Sequence, residues 1–225
     1  MAEKTALVVC EALTEEIAGR TPAHVETHII ELGQHDYPKK LHQELQEVIN
    51  RLEQGHCYES ILLGFGLCSE SIVGLEASRA KLVVPRTDDC TAILLGSMDA
   101  YREQFQKAPG TYYYTKKNID KGWGPLAMYL GQHEWTKKYD QETAQWVARE
   151  MIKNYTRIAL IDTGIAGLAA CEEYARQAAE VFGLQYELLK GTAALLEHLL
   201  YGPWDEQFVV AGAGQRISRS MFYHR

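Results

Sequence analysis

The chain is 225 residues long, 46% apolar, and carries a formal charge of −7 with both signs interspersed. That length suits one α/β domain or two intimate halves, and the apolar fraction is ample for a core. An acidic chain with no basic stripe is a poor match for a nucleic-acid backbone. No apolar run approaches a membrane span, and the opening MAEKTALVVC has no signal-peptide pattern, so a cytoplasmic protein is expected.

In chain order, TALVVC reads as a buried strand and EALTEEIAGR as a helix, followed by a second strand in HVETHIIEL. PKKLHQELQEVINRLEQG is the clearest helix of the first half. Leu41, Leu45, Val48, Ile49 and Leu52 recur at three- and four-residue spacing, Pro38 stands at its start, and Gly55 closes it. ESILLGFG is a third strand, CSESIVGLEASRA a helix, and KLVVP a fourth strand. DDCTAILLGSMDAYREQF reads as one helix capped by Thr87 or Asp88. PGTYYYTKKNIDKGWGP reads as a short strand and a long loop, a length that often carries function. Two helices follow in PLAMYLGQHEWTKKY and DQETAQWVAREMIKN; their apolar faces serve either as a homo-oligomer surface or as cover for the sheet. The last third repeats the opening rhythm: strand RIALIDTG, helix LAACEEYARQAAEVFG, strand LQYELLKG, helix TAALLEHLLYG, strand DEQFVVAGAG.

Strands alternating with helices predict an α/β fold with a mainly parallel sheet and helices on both faces. Two pseudo-repeated βαβαβ halves are expected. A Cys-bearing half spans 1–108, an aromatic loop with helices spans 109–155, and a second half spans 156–225. In such folds ligands bind beyond the carboxyl ends of the strands, which turns attention to the cysteines.

There are five: Cys10, Cys57, Cys68, Cys90 and Cys171. An odd count without any CxxC argues against a disulfide framework or a zinc ribbon. Cys10 ends the first predicted strand, and Cys68 and Cys90 follow the third and fourth at helix starts, so three thiols from three strand ends can share one edge. A helix start favours the thiolate, the form that binds metal or attacks an electrophile. His42, beside core-facing Leu41 and Leu45, is available as a fourth ligand, and Cys3His is a common zinc set. Set against this, cysteine is a frequent buried hydrophobe and His42 fits a half-buried helix position. Cys57 and Cys171 read as incidental.

Asp89 and Glu70 are candidate metal supports or general bases, although Asp88 and Asp89 also suit a helix cap and Glu11 a first-turn acid. Arg86 offers a fork for a carboxylate or phosphate, or a partner for Asp88. GFGLCS, containing Gly66, lacks the third glycine of a dinucleotide fingerprint. AGAGQR wraps an anion or makes a turn, and DTGIAG places Asp162 at a strand end. Neither a P-loop nor a GxSxG elbow is present. Tyr112, Tyr113, Tyr114, Lys116 and Trp123 could wall a flat ligand, or the tyrosines could pack on a neighbouring element; Trp123, between two glycines, is the better candidate for a ligand contact.

Taken together, VVCEALTEEI, the Leu-His of KKLHQEL, GFGLCSESIVGLEA, PRTDDCTAILLGS, and PGTYYYT followed by GW resemble a bacterial and archaeal domain-of-unknown-function family. The resemblance runs over roughly the whole chain and matches the family's pattern at Cys10, His42, Cys68 and Cys90. Some members have histidine where this chain has Asp89. The resemblance implies a Cys/His metal site and an association with corrinoid-dependent methyltransferase systems. Three readings follow. The first is a zinc (or iron) protein serving methyl-transfer or thiol chemistry, with a methyl donor as substrate and a corrinoid protein as partner. The second is a non-catalytic module that binds or delivers a metal, corrinoid or haem-like cofactor. The third is a metal-free thiol enzyme using Cys68 or Cys90 as nucleophile.

Overall fold

The computed structural model describes residues 4–223. β1 (Thr5–Cys10) leads into a single 3-10 turn and a short α1 (Thr14–Ile17) in place of one continuous helix, because Ala18 turns extended and Gly19 takes φ +72°. β2 (Glu26–Ile30), α2 (Pro38–Gly55), β3 (Ser60–Gly64) and β4 (Lys81–Pro85) follow as their patterns predict. The segment CSESIVGLEASRA, expected as a helix, is a series of turns. Cys68, Ser69 and Glu70 all sit in the left-handed region, with φ between 46° and 68°, which is incompatible with starting a right-handed helix.

The next expected helix is two. α3 (Cys90–Leu95) is capped by Asp89, not by Thr87 or Asp88, and ends at Gly96 with φ +94°. α4 (Met98–Lys107) then begins. β5 (Thr111–Tyr114), α5 (Lys116–Asp120), α6 (Pro125–Tyr129) and α7 (Gln141–Ile152) occupy the middle of the chain, so the long loop after the tyrosines is partly helical. β6 (Arg157–Asp162), α8 (Leu168–Phe182), β7 (Gln185–Lys190), α9 (Ala194–Tyr201) and β8 (Phe208–Ala211) complete the order.

The fold is mixed α/β with two sheets. Described residues up to Met98, with those from Ala193 onward, form one unit, and Asp99–Thr192 form the other. The first unit holds a five-stranded sheet ordered β2-β1-β3-β4-β8, parallel except for β8. The second holds a parallel three-stranded sheet, β5-β6-β7. This corrects the expected division. β8 returns to pair antiparallel with β4, from Leu82↔Ala211 to Pro85↔Phe208. The second parallel βαβαβ arrangement therefore starts one strand earlier than the sequence rhythm implied, at β5, and the chain from Ala193 onward leaves it.

All five residues of β3 are buried, which requires cover on both faces. One face packs Ile61 and Leu63 against Leu41, Leu45, Val48, Ile49 and Leu52 of α2; α9 contacts β3 and β4. In the second unit, Tyr114, Ile158 and Leu160 pack against Cys171, Ala175, Ala178 and Ala179 of α8. Among the described residues no helix is long and apolar enough to cross a membrane.

Candidate functional site

The parallel strands of the first unit run in the order 2-1-3-4, so the chain reverses its direction of travel between β1 and β3. In sheets of this kind the carboxyl ends at such a reversal are the usual place for a ligand. Cys10 is the last residue of β1. Cys68 lies four residues past β3 and Cys90 five past β4.

Two backbone hydrogen bonds join the loops that carry Cys68 and Cys90: Leu67 N–H donates to Thr87 O at 2.8 Å and Cys68 N–H to Asp88 O at 2.9 Å. Gly66 makes this approach feasible. A Cβ there would lie 2.6 Å from the Asp89 nitrogen and 2.8 Å from its Cα, which only glycine avoids. Gly66 thus acts by letting two loops meet.

The three thiols and Asp89 share one electrostatic neighbourhood. Burial pushes the Cys10 thiol up to about 11, opposed by a hydrogen bond from the Ala12 backbone and reinforced by Glu11. Burial also raises Cys68, with further contributions from Cys10 and Asp89, while the Gly66 backbone N–H bonds its sulfur and works the other way. Cys90 is raised by burial and then by Asp89, Cys10 and Cys68. Asp89 is raised by burial, against hydrogen bonds that include Ala92 N–H at 3.1 Å. The expectation that helix starts would favour thiolates is therefore corrected: burial and mutual repulsion outweigh the helix dipole, and these thiols stay protonated near neutrality. A divalent cation reverses that balance, since metal binding expels thiol protons.

His42 Nδ1 lies 2.9 Å from the Ser71 carbonyl. A carbonyl only accepts, so Nδ1 is the donor in this bond, which leaves Nε2 as the ring nitrogen a metal would use. Its neighbours on α2 grip the same segment. Gln46 donates to Glu76 O at 2.8 Å and accepts from Glu76 N–H at 3.1 Å. Glu53 accepts from the N–H groups of Ser78, Arg79 and Ala80. Among the described residues no three His, Cys, Asp or Glu side chains form a ready metal cage.

Other residues singled out by sequence have different employment. Arg86 donates from Nε, Nη1 and Nη2 to the carbonyls of Glu206, Met221 and Phe208; its fork clamps the returning chain to β4, so the reading of Arg86 as an anion holder is corrected. Glu70 pairs with Arg219 at 3.1 Å. Trp123 belongs to the second unit, edge-on to His133 at 5.0 Å and Trp135 at 6.3 Å. Tyr112 and Tyr114 pack on each other and on Tyr155 and Tyr174. AGAGQR is a turn in which Gly212 N–H donates to Gln215 and Gly214 N–H to Ala77. Cys57 is exposed and Cys171 is buried in the second core.

Sequence reasoning weighed Thr87 only as a cap. Its hydroxyl is buried and has no hydrogen-bond partner. No sequence signal marked it, nor the grip of Gln46 and Glu53.

A family model matches residues 29–200. The chain belongs to that family, described as "Protein of unknown function (DUF1638)". The matched stretch includes His42, Cys68 and Cys90, and starts after Cys10. Comparison with curated proteins gave no match. A solved structure titled "Crystal structure of a small-chain dehydrogenase" is similar over 86% of this chain and 100% of its own, at 12% identity and a TM-score of 0.21, an overlap too low to carry a structural argument.

Proposed function

We propose that the first unit is a metal-binding module whose ligands are Cys10, Cys68 and Cys90, with His42 as the fourth and zinc as the metal. The observation that supports it is the mutual electrostatic interaction of three thiols that follow three strand ends where the strand order reverses. The donor chemistry fits: three thiols and an imidazole with its Nε2 lone pair available make a thiolate-rich zinc set, and iron is the alternative for the same donors. Zinc held by all four would be closed and suit structure or delivery, whereas zinc held by the three thiolates with a position left open would supply Lewis acidity to keep a substrate thiol ionised at neutral pH.

The chain's own residues have separable tasks in this reading. Asp89 caps α3 and supports the ligands with negative charge. Gly66 lets the two Cys-bearing loops meet. Ser71 fixes the His42 tautomer. The link to methyl transfer, with a methyl donor as substrate and a corrinoid protein as partner, rests on the family resemblance alone. The raised thiol pKa values weigh against a metal-free nucleophile, which needs a ready thiolate.

Elemental analysis of anaerobically purified protein tests the proposal. Near-stoichiometric metal is expected in the wild type, absent from Cys10→Ser, Cys68→Ser and Cys90→Ser, and retained in Cys171→Ser. A wild type that holds no metal even after supplementation overturns it.

A further inference from the structure

After β8 the chain runs beside the loop that follows β3. Gly74 N–H donates to Ile217 O at 2.8 Å, Ile217 N–H to Leu75 O at 2.9 Å, and Gly214 N–H to Ala77 O at 2.8 Å. Ile217 thus spends both its backbone groups on this loop. Its side chain is 1% exposed, in the core against which Cys68, Val73 and Met221 also pack. Arg216 pairs with Glu76 at 2.7 Å, and Arg219 with Glu70 at 3.1 Å, two residues from Cys68. Further on, Phe222 is buried in the same core, and the Met221 carbonyl accepts from Arg86.

These ties differ in kind from those of the sheet. Residues 68–80 form turns and bends, and residues 212–222 hold one 3-10 turn, Arg219–Phe222. Both ion pairs lie at the surface, where such pairs contribute little. The left-handed backbone of Cys68, Ser69 and Glu70 relaxes on opening, which favours it. Segments of this kind open at free energies below that of the whole fold. The two segments share three backbone hydrogen bonds, so neither leaves without stranding groups on the other. Glu53 is itself buried and holds the N–H groups of Ser78, Arg79 and Ala80 on α2, which confines the opening to the stretch before them.

We propose that residues 212–222 are a latch on the Cys68-bearing loop: the two segments open together, as a unit separate from the sheet, and their opening frees Cys68. Ile217 is the residue that closes the latch, through its two backbone bonds and its buried side chain. Opening is a property of the metal-free chain. Under the metal reading above, it is the route by which an ion reaches Cys68.

The test is native-state hydrogen exchange of the full chain, reduced and metal-free, at low guanidinium concentrations and read residue by residue by NMR. The amides of Gly74, Gly214 and Ile217 are expected to share one opening of shallow denaturant dependence, at a free energy well below that of the β3 amides. Ile217→Ala removes the anchoring side chain without altering any charge. It should speed exchange at Gly74 and Gly214 by about 10-fold or more, and Ile217→Val by about 3-fold. Labelling of Cys68 by a small neutral methanethiosulfonate, located by mass spectrometry, should rise by the same factors. Gly74 and Gly214 amides that exchange only together with β3 make the segment a fixed part of the core and overturn the latch. Amides that open at separate free energies overturn it too, as does Cys68 labelling that fails to follow the exchange rate in Ile217→Ala. Every readout is taken without metal, so the latch and the metal reading fail separately.

Discussion

At the carboxyl edge of the five-stranded sheet, strand order reverses between β1 and β3, and the departing loops bring Cys10, Cys68 and Cys90 within electrostatic reach of one another. At the same edge of the three-stranded sheet the order β5-β6-β7 never reverses. There Thr115 caps α5, Asp162 accepts from Gly164 N–H at 2.8 Å, and Gly191 N–H donates back to the Asp162 carbonyl. The first two bonds are local, and the third joins the ends of neighbouring strands β6 and β7. The loop after β3 differs: it makes turn bonds at Ser71, Val73 and Leu75, and α2 adds partners for the rest of it through His42, Gln46 and Glu53. A loop held by side chains from elsewhere is free of helical geometry, which is how Cys68, Ser69 and Glu70 come to share left-handed backbone. Backbone strain of this kind persists where surrounding structure over-determines it, and it concentrates at functional sites.

Breaking the grip of α2 should show the difference most strongly. Glu53→Gln is expected to lose about 3 kcal/mol of stability at pH 7, because three backbone donors lose a charged acceptor. Burial pushes the Glu53 carboxyl up, but the hydrogen bonds from Ala80, Ser78 and Arg79 outweigh it and hold it below its ordinary value. Its contribution is therefore complete above the ordinary carboxylate pKa of about 4.3 and disappears as pH falls through the lower folded value. Urea unfolding at pH 7 and pH 3 checks this: the gap between wild type and variant should shrink on acidification. Asp162→Asn, which touches only a local side-chain bond to Gly164 N–H, should change stability by less than about 1 kcal/mol.

Gly66→Ala tests the contact between the two Cys-bearing loops. A new Cβ at 2.6 Å from the Asp89 backbone must push those loops apart, with an expected loss of about 2 kcal/mol from overpacking. Metal content should fall in the same variant. Unchanged stability and unchanged metal would show that the loops need not meet.

The smallest effect is a gain. Ser69 is exposed and has φ 56°, so Ser69→Gly should stabilise the protein by about 1 kcal/mol in thermal unfolding. A loss instead would mean the left-handed turn is relaxed and carries no strain.

Much of the architecture was legible locally. β1, β3 and β4 are short apolar runs, α2 shows its buried stripe, and α8 closes at a glycine, because the spacing of apolar residues reports which face an element buries. That three thiols follow strand ends needed only the alternation of strands with helices. The errors have a common cause. CSESIVGLEASRA has helical spacing, but its backbone groups found partners on α2, forty residues or fewer away in sequence yet invisible to periodicity. Arg86 looked like an anion holder because nothing local showed the carbonyls of Glu206, Phe208 and Met221 arriving from the end of the chain. Thr87 gave no signal, since an orphaned hydroxyl is defined by what surrounds it.

The sequence by itself determined where elements lie and which faces they bury, since those depend on short-range sterics and solvent avoidance. Tertiary structure alone decided the strand order, the return of β8 to β4, and the assembly of Cys10, Cys68, Cys90 and Asp89 in one neighbourhood. Those depend on pairings between distant segments, whose hydrogen bonds and charges acquire partners only when the chain has folded.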